Sequence, residues 1–257
     1  MSYDDVGSGM PVVLIHGFPH NRGLWAPQLA ALSQVCRCIA PDLRGFGDSD
    51  GGAPYSMDRY ADDVAALLDA LGVERAVVGG LSMGGYITLA FWRRHRERVL
   101  GLILADTRAA ADDAAGRERR RAMIALARRE GPEAVAGAMI ESTLGKTTRQ
   151  RHPEVVGAVH AMFAAASVSA IVGALEAMLD RPDSTPTLAT IDVPTLIVVG
   201  DEDAISPRRE AEAMRATIAG SRLEVIPGAG HASNVERPAA FNAVVTDFVR
   251  SLVPLAS

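Results

Sequence analysis

The stretch VVGGLSMGGY, residues 77–86, sets one serine between two pairs of glycines, directly behind an apolar run. Glycine inside a regular element costs about 1 kcal/mol relative to alanine, so this crowding points to a steric requirement. Gly80-Leu81-Ser82-Met83-Gly84 is a G-x-S-x-G match between a predicted strand and a predicted helix, the setting that this motif demands. A sharp strand-to-helix turn there holds the serine in a strained backbone conformation, with small neighbours two positions away on each side. The hydroxyl projects above the sheet edge. The N–H of Met83 falls near a helix N-terminus, aimed where an oxyanion would form.

Outward from this turn the same rhythm repeats. Apolar runs closed by glycine, proline or aspartate lie at 11–17, 36–42, 76–80, 100–106, 194–200 and 222–228. Near-continuous apolar runs of this length suit strands buried on both faces of a parallel sheet. Helical spacing fills the intervals, as in YADDVAALLDALG (60–72), where Val64, Leu67, Leu68 and Leu71 share a face and Gly72 provides the stop. The alternation predicts an α/β fold: a doubly wound, mostly parallel sheet with right-handed crossovers. From about 109 to 190 no strand pattern occurs, so a helical insertion is expected there, between core segments 1–108 and 191–257.

Composition narrows the function. Of 257 residues, 48% are hydrophobic and 22% charged, with a net charge of −5, which suits a globular core and argues against a nucleic-acid partner. The RERRR run (117–121) reads as a solvated helix face. No apolar run approaches the roughly 20 residues of a membrane span, and the acidic N-terminus is unlike a secretory signal. A cytoplasmic protein with no membrane or nucleic-acid partner is expected. Cys36 and Cys38 read as reduced packing residues, and two thiols alone make a poor metal site.

A serine hydroxyl needs a base, usually a histidine oriented by a carboxylate. His95 and His152 sit in polar settings, His160 in an alanine-rich helical run and His20 in an early loop. His231, in IPGAGHASN, lies just beyond the last predicted strand, where its loop reaches the carboxyl edge of the sheet. TLIVVGDEDAISP offers Asp201, Glu202 and Asp203 as the acid, and spacing leaves the choice open. LIHGFPHN follows the first strong strand, so its loop can turn the Phe18 N–H toward the oxyanion. His16 reads as a loop-organising hydrogen bonder.

HGFP (16–19), PDLRGFGDSD (41–50), GLSMGG (80–85), GDEDAISP (200–207) and PGAGHASNVERP (227–238) together resemble the α/β-hydrolase superfamily, from about residue 5 to the C-terminus. The branch is similar to small bacterial carboxylesterases and the enol-lactonase-like and perhydrolase-like enzymes beside them. The resemblance implies Ser82 as nucleophile, His231 as general base and Asp203 as acid, since the family places its acid four residues before the proline. It implies an oxyanion hole at Phe18 and Met83, and makes the helical insertion a cap. The family usually carries one or two further strands before the HG strand and this chain begins almost at the second of them, so an antiparallel edge strand is expected to be missing. The residues after His231, ASN, replace a bulkier side chain in many relatives and are expected to open the pocket.

These features predict a serine esterase acting on small-molecule carboxylic esters, short-chain ones foremost, as a monomer or homodimer. No metal or organic cofactor is implied. Trp25, Met139, Met162 and Phe163 are the candidate pocket walls beside Phe18 and Met83, giving an apolar pocket suited to uncharged acyl groups. Arg44 reads as a loop salt-bridge residue. Enol-lactone hydrolysis and perhydrolysis use the same machinery, and a non-enzymatic receptor or scaffold retaining the fold is the reading from another class.

Overall fold

The computed structural model describes residues 1–252. Seven strands form one sheet: β1 (Tyr3–Val6), β2 (Pro11–Ile15), β3 (Arg37–Pro41), β4 (Ala76–Leu81), β5 (Val99–Ala105), β6 (Thr195–Gly200) and β7 (Arg222–Ile226). Their order is β1-β3-β2-β4-β5-β6-β7, parallel throughout except that β1 runs antiparallel to β3. The six strands marked by apolar runs all form. β1 corrects the expectation of a sheet edge short of a strand: Tyr3 pairs with Pro41 and Val6 with Cys38. Its sequence, YDDV, has no apolar pattern because an edge strand is half solvated; Asp5 meets Arg37 of β3 across the pair at 2.7 Å.

The helices follow the crossovers. α1 (Ala26–Leu32) and α2 (Met57–Ala70) flank β3, and α3 (Met83–His95) follows β4. Between β5 and β6 run α4 (Ala114–Glu130), α5 (Pro132–Thr143), α6 (Lys146–Arg151), α7 (Pro153–Ala164), α8 (Val168–Leu179) and α9 (Thr185–Leu188). α10 (Arg208–Thr217) joins β6 to β7, and α11 (Ser233–Glu236) and α12 (Pro238–Leu252) close the described chain. Among the described residues no single helix is long and apolar enough to cross a membrane.

Two cores result, one on each sheet face. α2, α3 and α10 pack over one face through Val64, Leu68, Ile87, Phe91 and Met214; α1 and α12 cover the other through Leu29, Leu32, Phe241 and Val245. Cys36 and Cys38 are free and buried in the second core, with their sulfurs 3.4 Å apart. The strand order reverses between β2 and β4, so the chain leaves these neighbours in opposite directions and opens a crevice at their carboxyl ends. The HGFP loop leaves β2 there, and Ser82 leaves β4.

Candidate active site

Ser82 sits at φ 56°, ψ −114°, a left-handed conformation that a non-glycine residue adopts only under constraint. The constraint comes from its neighbours. Its N–H donates to Ala105 O, and its carbonyl accepts from Gly85 N–H, Tyr86 N–H and the Thr107 hydroxyl. A Cβ on Gly80 would lie 2.1 Å from Gly84 O, and one on Gly84 would lie 2.2 Å from Ile15 O. The glycines therefore let the strand, the turn and the first turn of α3 touch backbone to backbone.

The Ser82 hydroxyl lies 2.7 Å from His231 Nε2, and His231 Nδ1 lies 2.8 Å from Asp203 Oδ2. An ionised carboxylate only accepts, so Nδ1 carries the proton and Nε2 accepts from the serine. The Ile205 and Ser206 N–H groups donate to Asp203 Oδ1 at 2.8 and 2.9 Å. Burial works to raise the Asp203 pKa, but the His231 charge and these hydrogen bonds carry it below the usual carboxylate range. Burial likewise works to lower the His231 pKa, and the Asp203 charge and hydrogen bond raise it above the ordinary value.

The three consecutive acids do three different jobs. Asp201 accepts from Gly228 N–H and holds the turn after β7, while Glu202 accepts from Thr147 of α6. Asp203 alone meets the imidazole. His16 donates from Nδ1 to Gly17 O and accepts at Nε2 from Leu43 N–H, so it organises the loop, as its position after β2 suggests. Arg44 forms a two-pronged pair with Asp63, the salt-bridge role expected of it.

The N–H groups of Phe18 and Met83 donate to no protein acceptor among the described residues. Met83 opens α3, whose first N–H groups have no intrahelical partner. Both belong to residues that flank the crevice and suit a developing negative charge.

The pocket differs from the apolar one expected. A cleft of about 390 Å³ borders the site, between Phe18, Ala204 and Ile205 on one side and helices α4, α5 and α8 on the other. Met139 lines it, with Met123 and Leu175, but so do Arg108, Arg119 and Arg120. Trp25 is fully buried against Phe241 and does not line this cleft, since its ring supplies core volume. Phe163 is also fully buried, edge-on to the His20 ring, and Met162 lines a separate recess of about 190 Å³ with His20 and Phe46. The ASN segment does not widen the cleft. Ser233 turns to Asp106, Asn234 donates to Leu24 O and Gln28 Oε1, and neither lines the cleft.

Sequence reasoning missed two buried acids that build the His231 loop. Glu236 accepts from the N–H groups of Gly145, Gly230 and Ala232, and His231 N–H donates to Thr143 O, so the loop is fastened to α5 and α6. Asp106, at φ 44° just past β5, accepts from Gly200 N–H and from Ser233 N–H and hydroxyl. Burial and the nearby Asp203 push its carboxyl up to about 7. The available signal was position, since Asp106 ends a strand beside the one that carries Ser82.

A serine, an imidazole and a carboxylate linked at the crevice of a doubly wound sheet define a hydrolase of the α/β-hydrolase fold. The chain belongs to that family: residues 10–238 match the family described as alpha/beta hydrolase fold. It is similar to an esterase from Thermogutta terrifontis, solved with malate bound, at 42% identity over 98% of this chain and 93% of that one, with a TM-score of 0.95. It is also similar to the enol-lactonase from Burkholderia xenovorans LB400, at 30% identity over 97% and 96% of the two chains, TM-score 0.90. Among curated proteins, the AB hydrolase superfamily protein YisY of Bacillus subtilis (strain 168) is 32% identical, over 96% of this chain and 94% of its own length.

Proposed function

We propose that this hydrolase cleaves carboxylic esters through an acyl-enzyme on Ser82, with His231 as general base and Asp203 as its orienting acid. The observation that carries the reading is the continuous hydrogen-bonded chain from Ser82 Oγ through His231 to Asp203, at 2.7 and 2.8 Å. As the oxygen attacks the ester carbonyl, its proton passes to His231 Nε2, and Asp203 stabilises the imidazolium. The tetrahedral oxyanion lies between the Phe18 and Met83 N–H groups, each donor of this kind being worth about 10²–10³ in rate. His231 returns the proton to the departing alcohol oxygen. Water, deprotonated by the same imidazole, then attacks the acyl-serine, and His231 returns that proton to Ser82 Oγ as the acyl–oxygen bond breaks and the acid leaves.

Similarity to esterases supports the ester as substrate, and a cleft of about 390 Å³ favours short acyl groups. Lactone hydrolysis is the second reading, favoured by the likeness to an enol-lactonase, since a cyclic ester meets the same groups. Turnover of short p-nitrophenyl esters and labelling by a fluorophosphonate test the proposal together. Both are expected of the native chain, and Ser82→Ala is expected to lose both. Near-native turnover by that variant would remove Ser82 from the mechanism.

A further inference from the structure

The cleft bounded by Phe18 and by Ala204 and Ile205, the residues that follow Asp203, is two-sided. Phe18, Met123, Met139, Leu175 and Ile205 give it an apolar wall, while Arg108, Arg119 and Arg120 line the side formed by α4 and the segment after β5. Asp112 is the one acid among its lining residues. Asp112 is already saturated: its side chain is 1% exposed and pairs with Arg108, Arg120 and Arg181, the last at 3.2 Å. Burial works against its charge, but the hydrogen bond and charge of Arg120, with Arg181 and Arg108, hold its pKa down to about 2. One ionised carboxylate thus faces three lining guanidiniums, with Arg181 behind them.

The excess is not cancelled locally. Arg119 makes no side-chain hydrogen bond or ion pair among the described residues. Arg108 Nε is buried and finds no acceptor, although Glu210 of α10 also lies near that side chain. Arg181 is spent differently, stacked over the Tyr86 ring at 4.0 Å. A buried donor without an acceptor is costly, and guanidinium groups match the planar fork of a carboxylate. RERRR is therefore not simply a solvated face, because Arg120 turns inward and Arg119 faces the cleft.

We propose that the cleft selects esters whose acyl chain ends in a carboxylate, namely half-esters of short dicarboxylic acids, with the stem on the apolar wall and the free carboxylate at Arg108 and Arg119. This rests on the ester-hydrolase reading above and deepens it. It also reverses the preference for uncharged acyl groups that the sequence alone suggests.

The test compares monomethyl glutarate with methyl valerate, which share an acyl length and differ in the terminal carboxylate. In the native protein, kcat/KM for the half-ester is expected to exceed that of the neutral ester by about tenfold or more at low salt, the advantage shrinking as salt is added. Arg119→Gln is expected to bring the ratio toward one, and Arg119→Glu to invert it. Arg108→Gln should act similarly, with fluorophosphonate labelling reporting whether that variant still folds around Ser82. Calorimetric titration of Ser82→Ala with the same two esters reads selectivity without chemistry, and tighter binding of the half-ester is expected. A native ratio at or below one, or a ratio unmoved by both Arg119 variants, overturns the proposal. Hydrolysis of neither ester with no labelling overturns the ester reading instead, and the titration still decides the carboxylate preference.

Discussion

The Ser233 hydroxyl stands 2.5 Å from Asp106 Oδ2, so a second buried carboxyl braces the loop that carries His231. Asp106 is fully buried with its carboxyl pushed up to about 7, and its ionised form adds to the Asp203 charge in raising the pKa of the imidazole. Replacing it by asparagine removes that ionisable group at the cost of one of the two oxygens that accept from Gly200 and Ser233. The acid limb of the kcat/KM profile reports the base of the free enzyme, so in Asp106→Asn it is expected to move to lower pH. An acid limb in the native position would mean that Asp106 braces the loop without acting on the imidazole.

The three adjacent acids give a sharper contrast. Asp203→Asn disturbs the tautomer of His231 and is expected to lower kcat by about 10⁴. Asp201→Asn keeps an oxygen for the Gly228 N–H and is expected to stay within about tenfold of native, as is Glu202→Gln, whose partners lie on α6. Ester turnover of the three purified variants decides it, and an equal loss in Asp201→Asn would break the assignment.

What the sequence made legible follows from where the information lies. Apolar runs report burial, so the six strands β2 to β7 could be read, and the small residues at 80 and 84 report backbone contact directly. β1 could not be read this way, because its YDDV sequence is half solvated and held by backbone pairing. Trp25 shows the limit for pocket walls: large apolar side chains serve core and cleft alike, and only the fold decides that this one packs on Phe241. The arginine side of the cleft was hidden for the opposite reason. A charge run reads as solvated until Asp112, from a neighbouring loop, draws Arg120 and Arg181 together.

His20 offers a test of stability against pH. It is 1% exposed, neither ring nitrogen has a partner among the described residues, and its ring lies edge-on to Phe163 at 4.7 Å. Burial, with His16 and His231 nearby, pushes its pKa down to about 3. The unfolded chain therefore binds a proton below about 6.5 that the folded one refuses, and the stability due to this group is lost as pH falls toward 3. His20→Leu removes that loss. At pH 7 its stability is expected to match or exceed native, and from pH 6 to 4 its advantage should grow by about 1.4 kcal/mol per pH unit. Urea unfolding of both proteins across this range checks it; parallel curves would refute the buried neutral imidazole.

Glycine substitutions separate the steric role of the serine turn from ordinary helix propensity. Gly137 in α5 and Gly157 in α7 lie inside helices, and a Cβ built on either meets nothing within 4 Å. Alanine at each is expected to stabilise by about 1 kcal/mol, raising Tm by about 2–4 °C with ester turnover unchanged. Gly80→Ala is the opposite case. Its Cβ would sit 2.1 Å from Gly84 O, a backbone atom fixed by the start of α3, so the turn must open and Ser82 must leave His231. That variant is expected to lose fluorophosphonate labelling and melt well below native, by more than the about 1 kcal/mol that propensity alone would add. If it folds and labels like the native chain, close backbone contact is not what holds the serine.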